Sequence, residues 1–220
     1  MRNRSITNLY DLVLSPYYDI IQSHMVPLKQ RSIDFIDIKK GDTVLLFCCG
    51  TGLEIPSIND CVGDNGKIIG VDISAGMLSI LEKRIQRNHW QNITLYNEDV
   101  RHFNLQKYSE RKVDVGICTL GLSVIPDNLP VLENLINSVK DGGIVLVADT
   151  KISRWKFSLL HNFTSVGISY LFGSNYHLNK CSDEIIKTMK NRLKEFEIAE
   201  FLWNTYYIAY GKKSSVPIAS

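Results

Sequence analysis

The sequence contains no CxxC pair. Its five cysteines, Cys48, Cys49, Cys61, Cys118 and Cys181, are odd in number and spaced neither as a disulfide framework nor as a zinc site. Reduced thiols in a cytosol-like compartment are the plain reading, and no metal is expected. No uninterrupted apolar run reaches the roughly 18 residues that a membrane span requires. The basic start (Arg2, Arg4) leads into a stretch interrupted by Asp11 and Asp19, unlike the apolar core of a secretory signal. An excess of one charge is also missing: the net charge is +2 with no long basic run, so nothing here marks a protein that tracks nucleic acid. Internal repeats and low-complexity linkers are absent.

What remains is an ordinary globular composition, 45% apolar and 22% charged over 220 residues. That length supports one large core, so one α/β domain is expected in preference to two small ones. Apolar spacing up to Ile38 is helical, with Pro16 and Pro27 as breaks or starts. Strands are predicted at Val44–Cys48, Ile68–Ile73, Ile93–Asn97, Val113–Leu120 and Ile144–Thr150. Amphipathic helices are expected to start near Gly52 and to cover Ser74–Asn88 and Leu129–Gly143, the last ending in a glycine stop. A further helix, Ser182–Phe196, has Ser182 as its expected N-cap. Two strands, Glu197–Trp203 and Thr205–Lys213, close the chain. The alternation implies a parallel sheet covered on both faces, with the last strand antiparallel.

The stretch "VLLFCCGTGLEIPS" reads as a buried strand, a tight small-residue turn and a helix start. Ligands of open α/β sheets lie beyond the carboxyl ends of the strands. Gly50 and Gly52 allow the backbone to pass close under such a ligand. Of the three glycines of a dinucleotide fingerprint only Gly50 is in place, because Cys48 and Leu53 occupy the others. The turn therefore suits a nucleoside better than a pyrophosphate. Asp72 ends the second strand, where a carboxylate can accept from both ribose hydroxyls; the competing reading is a helix N-cap, which Ser74 could supply alone. Asp99, after the third strand, can accept from an adenine amino group while the amide of Val100 meets a ring nitrogen; the competing reading is a turn residue.

The motifs "VLLFCCGTG", "GVDISAGML", "NEDV", "VDVGICTLGLSVIPD" and "DGGIVLVADT", in this order and spacing, resemble the class I S-adenosylmethionine-dependent methyltransferases. The similarity is greatest to the small-molecule group that includes ubiquinone and menaquinone C-methyltransferases, and it runs from about Leu9 to Lys212. The resemblance implies a Rossmann-like doubly wound sheet of seven strands, S-adenosylmethionine as cofactor and S-adenosylhomocysteine as product. It implies cofactor contacts from Tyr10, Cys48, Cys49, Gly50, Thr51, Gly52, Asp72, Ile73, Met77, Asp99, Val100, Thr119 and Leu120. It also implies one domain over 1–220, with cap helices in 1–40, a cofactor-binding core in 41–151, an acceptor-covering insert in 152–181 and a helix and strand pair in 182–220.

Two departures stand out. The family usually carries a carboxylate where this chain has Leu46 and a glycine where it has Cys48. Losing one charge-assisted hydrogen bond to the cofactor's ammonium is worth about 1.5–3 kcal/mol, roughly ten- to a hundredfold in affinity. Backbone carbonyls and the segment at Thr119 and Leu120 remain to take that group, and Cys48 is expected to pack.

The acceptor is expected to be a small, apolar or partly apolar molecule: a quinol, phenol, amine or lipid headgroup. "CTLGLSVIPD" lacks the Asn-Pro-Pro-Tyr type of sequence that grips a flipped base, so nucleic acid is not expected. The stretch from Phe157 to Asn179 contains no charged residue. Two readings stay open for it, an acceptor-covering or membrane-touching insert and a half-buried helix pair. His161 within it and Tyr18 are the candidate catalytic bases, with His102 behind them. A cytoplasmic monomer or homodimer is expected, with peripheral membrane contact open. Two other functions stay open: a non-methylating cofactor-binding protein and a silent partner subunit.

Overall fold

The computed structural model describes residues 26–151, 178–202 and 204–214. Tyr10, Tyr17, Tyr18, His161 and residues 152–177 of the expected insert lie outside them. The chain divides into two compact units, residues 1–115 and 116–220, with the boundary inside one strand. The strands form a seven-stranded sheet of order β3-β2-β1-β4-β5-β7-β6.

In the first unit, helix α1 (Val26–Ile33) precedes strand β1 (Thr43–Phe47), helix α2 (Ile55–Val62), strand β2 (Lys67–Asp72), helix α3 (Ala75–Asn88) and strand β3 (Ile93–Asn97). Val44 to Phe47 are wholly buried, as a continuous apolar run at the centre of a parallel sheet demands. Strand β2 runs parallel to both neighbours, with Phe47 opposite Val71 and Asp72 opposite Asn97. That register brings the carboxyl ends of the three strands level. Helix α3 starts at Ser74, whose hydroxyl accepts from the Met77 amide at 3.2 Å. Its Met77, Leu78 and Leu81 turn inward. Strand β4 (Val113–Thr119) opens with Asp114, whose carboxylate accepts from the Thr43 amide at 2.7 Å.

In the second unit, helix α4 (Asn128–Ser138) runs directly into strand β5 (Val139–Thr150). This corrects the expected glycine stop: Val139 is already extended, and Gly142 adopts its positive φ of 78° within the strand. Helix α5 (Leu178–Arg192) is followed by strands β6 (Leu193–Phe201) and β7 (Tyr206–Lys213). Ser182 is not the N-cap of α5. The helix begins at Leu178, and Ser182 sits inside it with Ile185 and Met189 on one buried face. Strand β7 pairs antiparallel with β5 on one side and β6 on the other. Flanked twice, it buries Tyr206 to Ala209 completely. Among the described residues no helix is long and apolar enough to cross a membrane.

Candidate cofactor site

Strand β1 ends in a turn built from three left-handed residues: Cys48 (φ 54°), Gly50 (φ 52°) and Gly52 (φ 71°). Gly52 has a second reason to be glycine. A Cβ there would lie 2.5 Å from the Leu81 Cδ1, so only a bare backbone lets the turn sit against α3. The Gly52 amide donates to the Cys49 carbonyl at 2.8 Å and closes the turn.

Asp72 organises what lies beside it. Its Oδ2 accepts from the Gly50 amide at 2.8 Å and its Oδ1 from the Ser74 amide at 2.9 Å. Each oxygen thus has a backbone donor that fixes its direction, and a carboxylate oxygen accepts more than one hydrogen bond. The side chain is half-buried at the strand end. The N-cap role thus falls to Ser74, and Asp72 is an acceptor oriented by two backbone amides. Asn97, opposite it, donates through Nδ2 to the carbonyls of Asp72 (3.1 Å) and Ile73 (2.9 Å). Sequence reading passed over this brace, although its signal is simple: an amide ends the strand that neighbours the carboxylate. Ile73 projects an apolar side chain that is 44% exposed.

Asp99 is committed differently. Its carboxylate accepts from the Arg101 amide (3.0 Å) and from Arg101 Nε (3.0 and 2.9 Å), and pairs with the same guanidinium through Nη2. Burial pushes its pKa up, but the hydrogen bonds and charge of Arg101, helped by His102, outweigh that and hold it below the ordinary carboxylate range. An adenine amino group would share this carboxylate with Arg101. His102 is exposed, and its amide donates to the Asp99 carbonyl at 2.9 Å. Cys49, Thr51, Met77 and Val100 are buried, so their side chains belong to the core of the unit. Burial pushes the Cys49 thiol well up, and the negative charges of Asp72 and Glu54 add to the shift, so it is a packing group and not a thiolate.

Leu46 is 0% exposed and pairs with Gly70. A carboxylate introduced there would be buried, at a cost of about several kcal/mol if unpaired. A buried ion pair joins two residues that are well separated in sequence: Lys29 Nζ meets Glu54 Oε1 at 2.9 Å, with the side chains 4% and 1% exposed. Nothing in the sequence pattern marked these two residues as partners.

In the second unit, Thr119 is buried at the end of β4 and Leu120 follows in a left-handed conformation (φ 53°). The Leu120 amide donates to the Ala148 carbonyl at 2.8 Å. Asp149 then ends the continuous apolar run of β5 as a buried carboxylate. That change of residue type at a strand end is the signal by which it could have been found.

Residues 38–200 match the methyltransferase domain family. The chain belongs to that family. The membership bears out the class I methyltransferase resemblance, an enzyme class whose methyl donor is S-adenosylmethionine. The demethylmenaquinone methyltransferase of Oceanobacillus iheyensis is 35% identical over 117 residues, covering 52% of this chain and 47% of that protein. The chain spans about half the length of the curated relatives it matches. Among solved structures, a SAM-dependent methyltransferase from Aquifex aeolicus aligns with a TM-score of 0.59 at 18% identity, over 83% of this chain and 87% of that one. An rRNA methylase from Streptococcus thermophilus aligns with a TM-score of 0.54 at 12% identity, over 86% and 95%. At such identities the two structures speak for the Rossmann-like methyltransferase fold alone.

Proposed function

We propose that the protein transfers a methyl group from S-adenosylmethionine to a small, apolar or partly apolar acceptor, with a quinol favoured over phenols, amines and lipid headgroups. The observation that carries the reading is the Asp72 carboxylate, held at the end of β2 by the Gly50 and Ser74 amides. A fixed acceptor beside a close-packed glycine turn fits a nucleoside's ribose diol. The name of the Oceanobacillus iheyensis relative favours a quinone-type acceptor. The sulfonium cofactor supplies an activated methyl group; the chain's part is to hold the donor, align the acceptor and exclude water.

In this reading Asp72 takes the ribose hydroxyls, Ile73 covers one face of the base, and the Val100 amide and Asp99 meet its edge. Thr119 and Leu120 serve the amino-acid end. Tyr10, Tyr18, His161 and the uncharged stretch 157–179 are assigned to the acceptor side by resemblance and composition. The chain works as one domain over 1–220, as a monomer or homodimer in the cytoplasm. Cys48, Cys49, Cys61 and Cys118 are free thiols, which suits that compartment. A small-molecule acceptor, not nucleic acid, is the expected partner, with peripheral membrane contact if that acceptor is a lipid.

Leu46 favours a second reading, a cofactor-binding protein that does not methylate, because the usual ammonium partner is replaced by core. One experiment separates the two. The protein is incubated with S-adenosylmethionine and a panel of quinols, phenols, amines and phospholipids, and S-adenosylhomocysteine is measured. Turnover with the quinol class is expected. Cofactor binding without turnover on any acceptor would favour the second reading.

A further inference from the structure

In the second unit, a short turn follows β4. Leu120 is left-handed, and Leu122–Val124 form a single 3-10 turn before helix α4. Three residues of helix do not hold themselves together, because nucleation costs more than one turn returns. What holds this turn is Asp149. Its Oδ2 accepts from the Ser123 amide at 2.9 Å and its Oδ1 from the Thr150 amide at 2.7 Å, while the Ser123 hydroxyl and the Leu122 amide reach the same carboxylate. Asn128 adds a tie from the other side, donating through Nδ2 to the Leu122 carbonyl at 2.9 Å. The Leu120 amide is fixed to the Ala148 carbonyl.

Asp149 is only 1% exposed. Burial pushes its pKa up, and the hydrogen bonds from Ser123, Thr150 and Leu122 pull the other way without cancelling the shift. A buried carboxylate is a costly way to hold a turn. Its advantage is chemical: these four groups are all donors, and an anionic oxygen pair can satisfy them together. An apolar residue would satisfy none, and an amide would turn its own NH₂ toward one N–H.

We propose that Asp149 is a positioning residue for the amino-acid end of the cofactor: its carboxylate sets the Leu120–Val124 turn and, with it, the direction of the backbone groups at Thr119 and Leu120. The inference rests on the proposed function. In that reading Thr119 and Leu120 serve the amino-acid end, and backbone groups serve that purpose only if the turn carrying them is fixed.

Two ligands separate this role from a general one. S-Adenosylhomocysteine carries the amino-acid end; 5′-methylthioadenosine has the same nucleoside and thioether without it. Calorimetric titration of both into wild type, Asp149→Asn and Ser123→Ala is the test, with a thermal melt of each free protein. Asp149→Asn should lose about tenfold or more in affinity for S-adenosylhomocysteine and keep 5′-methylthioadenosine within about threefold. Ser123→Ala should shift the same ratio in the same direction by less, and it decides the matter if Asp149→Asn does not fold. Equal losses on both ligands, or no loss on either, would overturn the inference. A wild-type protein that binds 5′-methylthioadenosine but not S-adenosylhomocysteine would overturn it while leaving the nucleoside reading in place. Binding of neither by wild type would overturn the cofactor reading, and this inference with it.

Discussion

Cys48 occupies a left-handed conformation, φ 54°, at a position where the resembled family has glycine. A side chain with a Cβ is strained there by about 1–2 kcal/mol, because the Cβ crowds the following carbonyl oxygen. Cys48→Gly removes that crowding and also frees the unfolded chain, which costs part of the gain. The net expectation is a stabilisation of about 0.5–1 kcal/mol, read as a higher urea midpoint at unchanged m-value. An unchanged or lower midpoint would show that the Cys48 side chain contributes more by packing than its backbone loses. At this scale the sequence was legible where residue type dictates geometry. Gly50, Gly52, Asp72 and Ser74 all stand at turns or strand ends as read. It was not legible where residue type and spacing leave the partner open, whether that partner is near in sequence or distant. The Arg101 grip on Asp99 fills a carboxylate assigned to a base, and the Lys29–Glu54 pair joins residues with no shared motif.

Among the elements, the passage from α4 into β5 shows how a helix end is satisfied without the glycine the sequence led one to expect. Lys213, at the end of β7, donates through Nζ to the Val139 carbonyl at 2.7 Å and lies 3.4 Å from the Asn137 carbonyl. The cation therefore meets the last carbonyls of α4, where the helix dipole is negative. Lys213→Met keeps the aliphatic stem and removes the charge and the hydrogen bonds. It is expected to destabilise the protein by about 1–2 kcal/mol. A midpoint within experimental error of wild type in chemical denaturation would show that water serves the helix end equally well. Such a cap joins residues more than seventy positions apart, which explains why local punctuation at Asp141–Gly143 misled. The same holds for α5: Ser182 with acidic followers looks like a helix start, but the apolar face it shares with Ile185 and Met189 places it inside the helix. Element order was readable throughout the described residues because periodicity and burial agree there, but not every boundary: Leu193 to Phe196, expected as the end of a helix, open strand β6.

For the whole molecule, the sheet order puts the first βαβ units on one side of β4 and the antiparallel β7 between β5 and β6; the strand pattern of the sequence foretold the antiparallel last strand but not its place between the other two. Substrate choice was not readable to the same degree, since the motifs that define the family serve the donor and not the acceptor. Everything proposed for the molecule depends on Asp72 holding a nucleoside cofactor. Calorimetric titration of S-adenosylhomocysteine into wild type and Asp72→Ala tests it most directly, with thermal melts of both free proteins to establish that each is folded. The ribose hydrogen bonds to a carboxylate are worth about 1.5–3 kcal/mol each, so a folded Asp72→Ala should show no detectable binding while wild type saturates at one site. Binding by the folded variant within about threefold of wild type, or no binding by wild type itself, would contradict the claim.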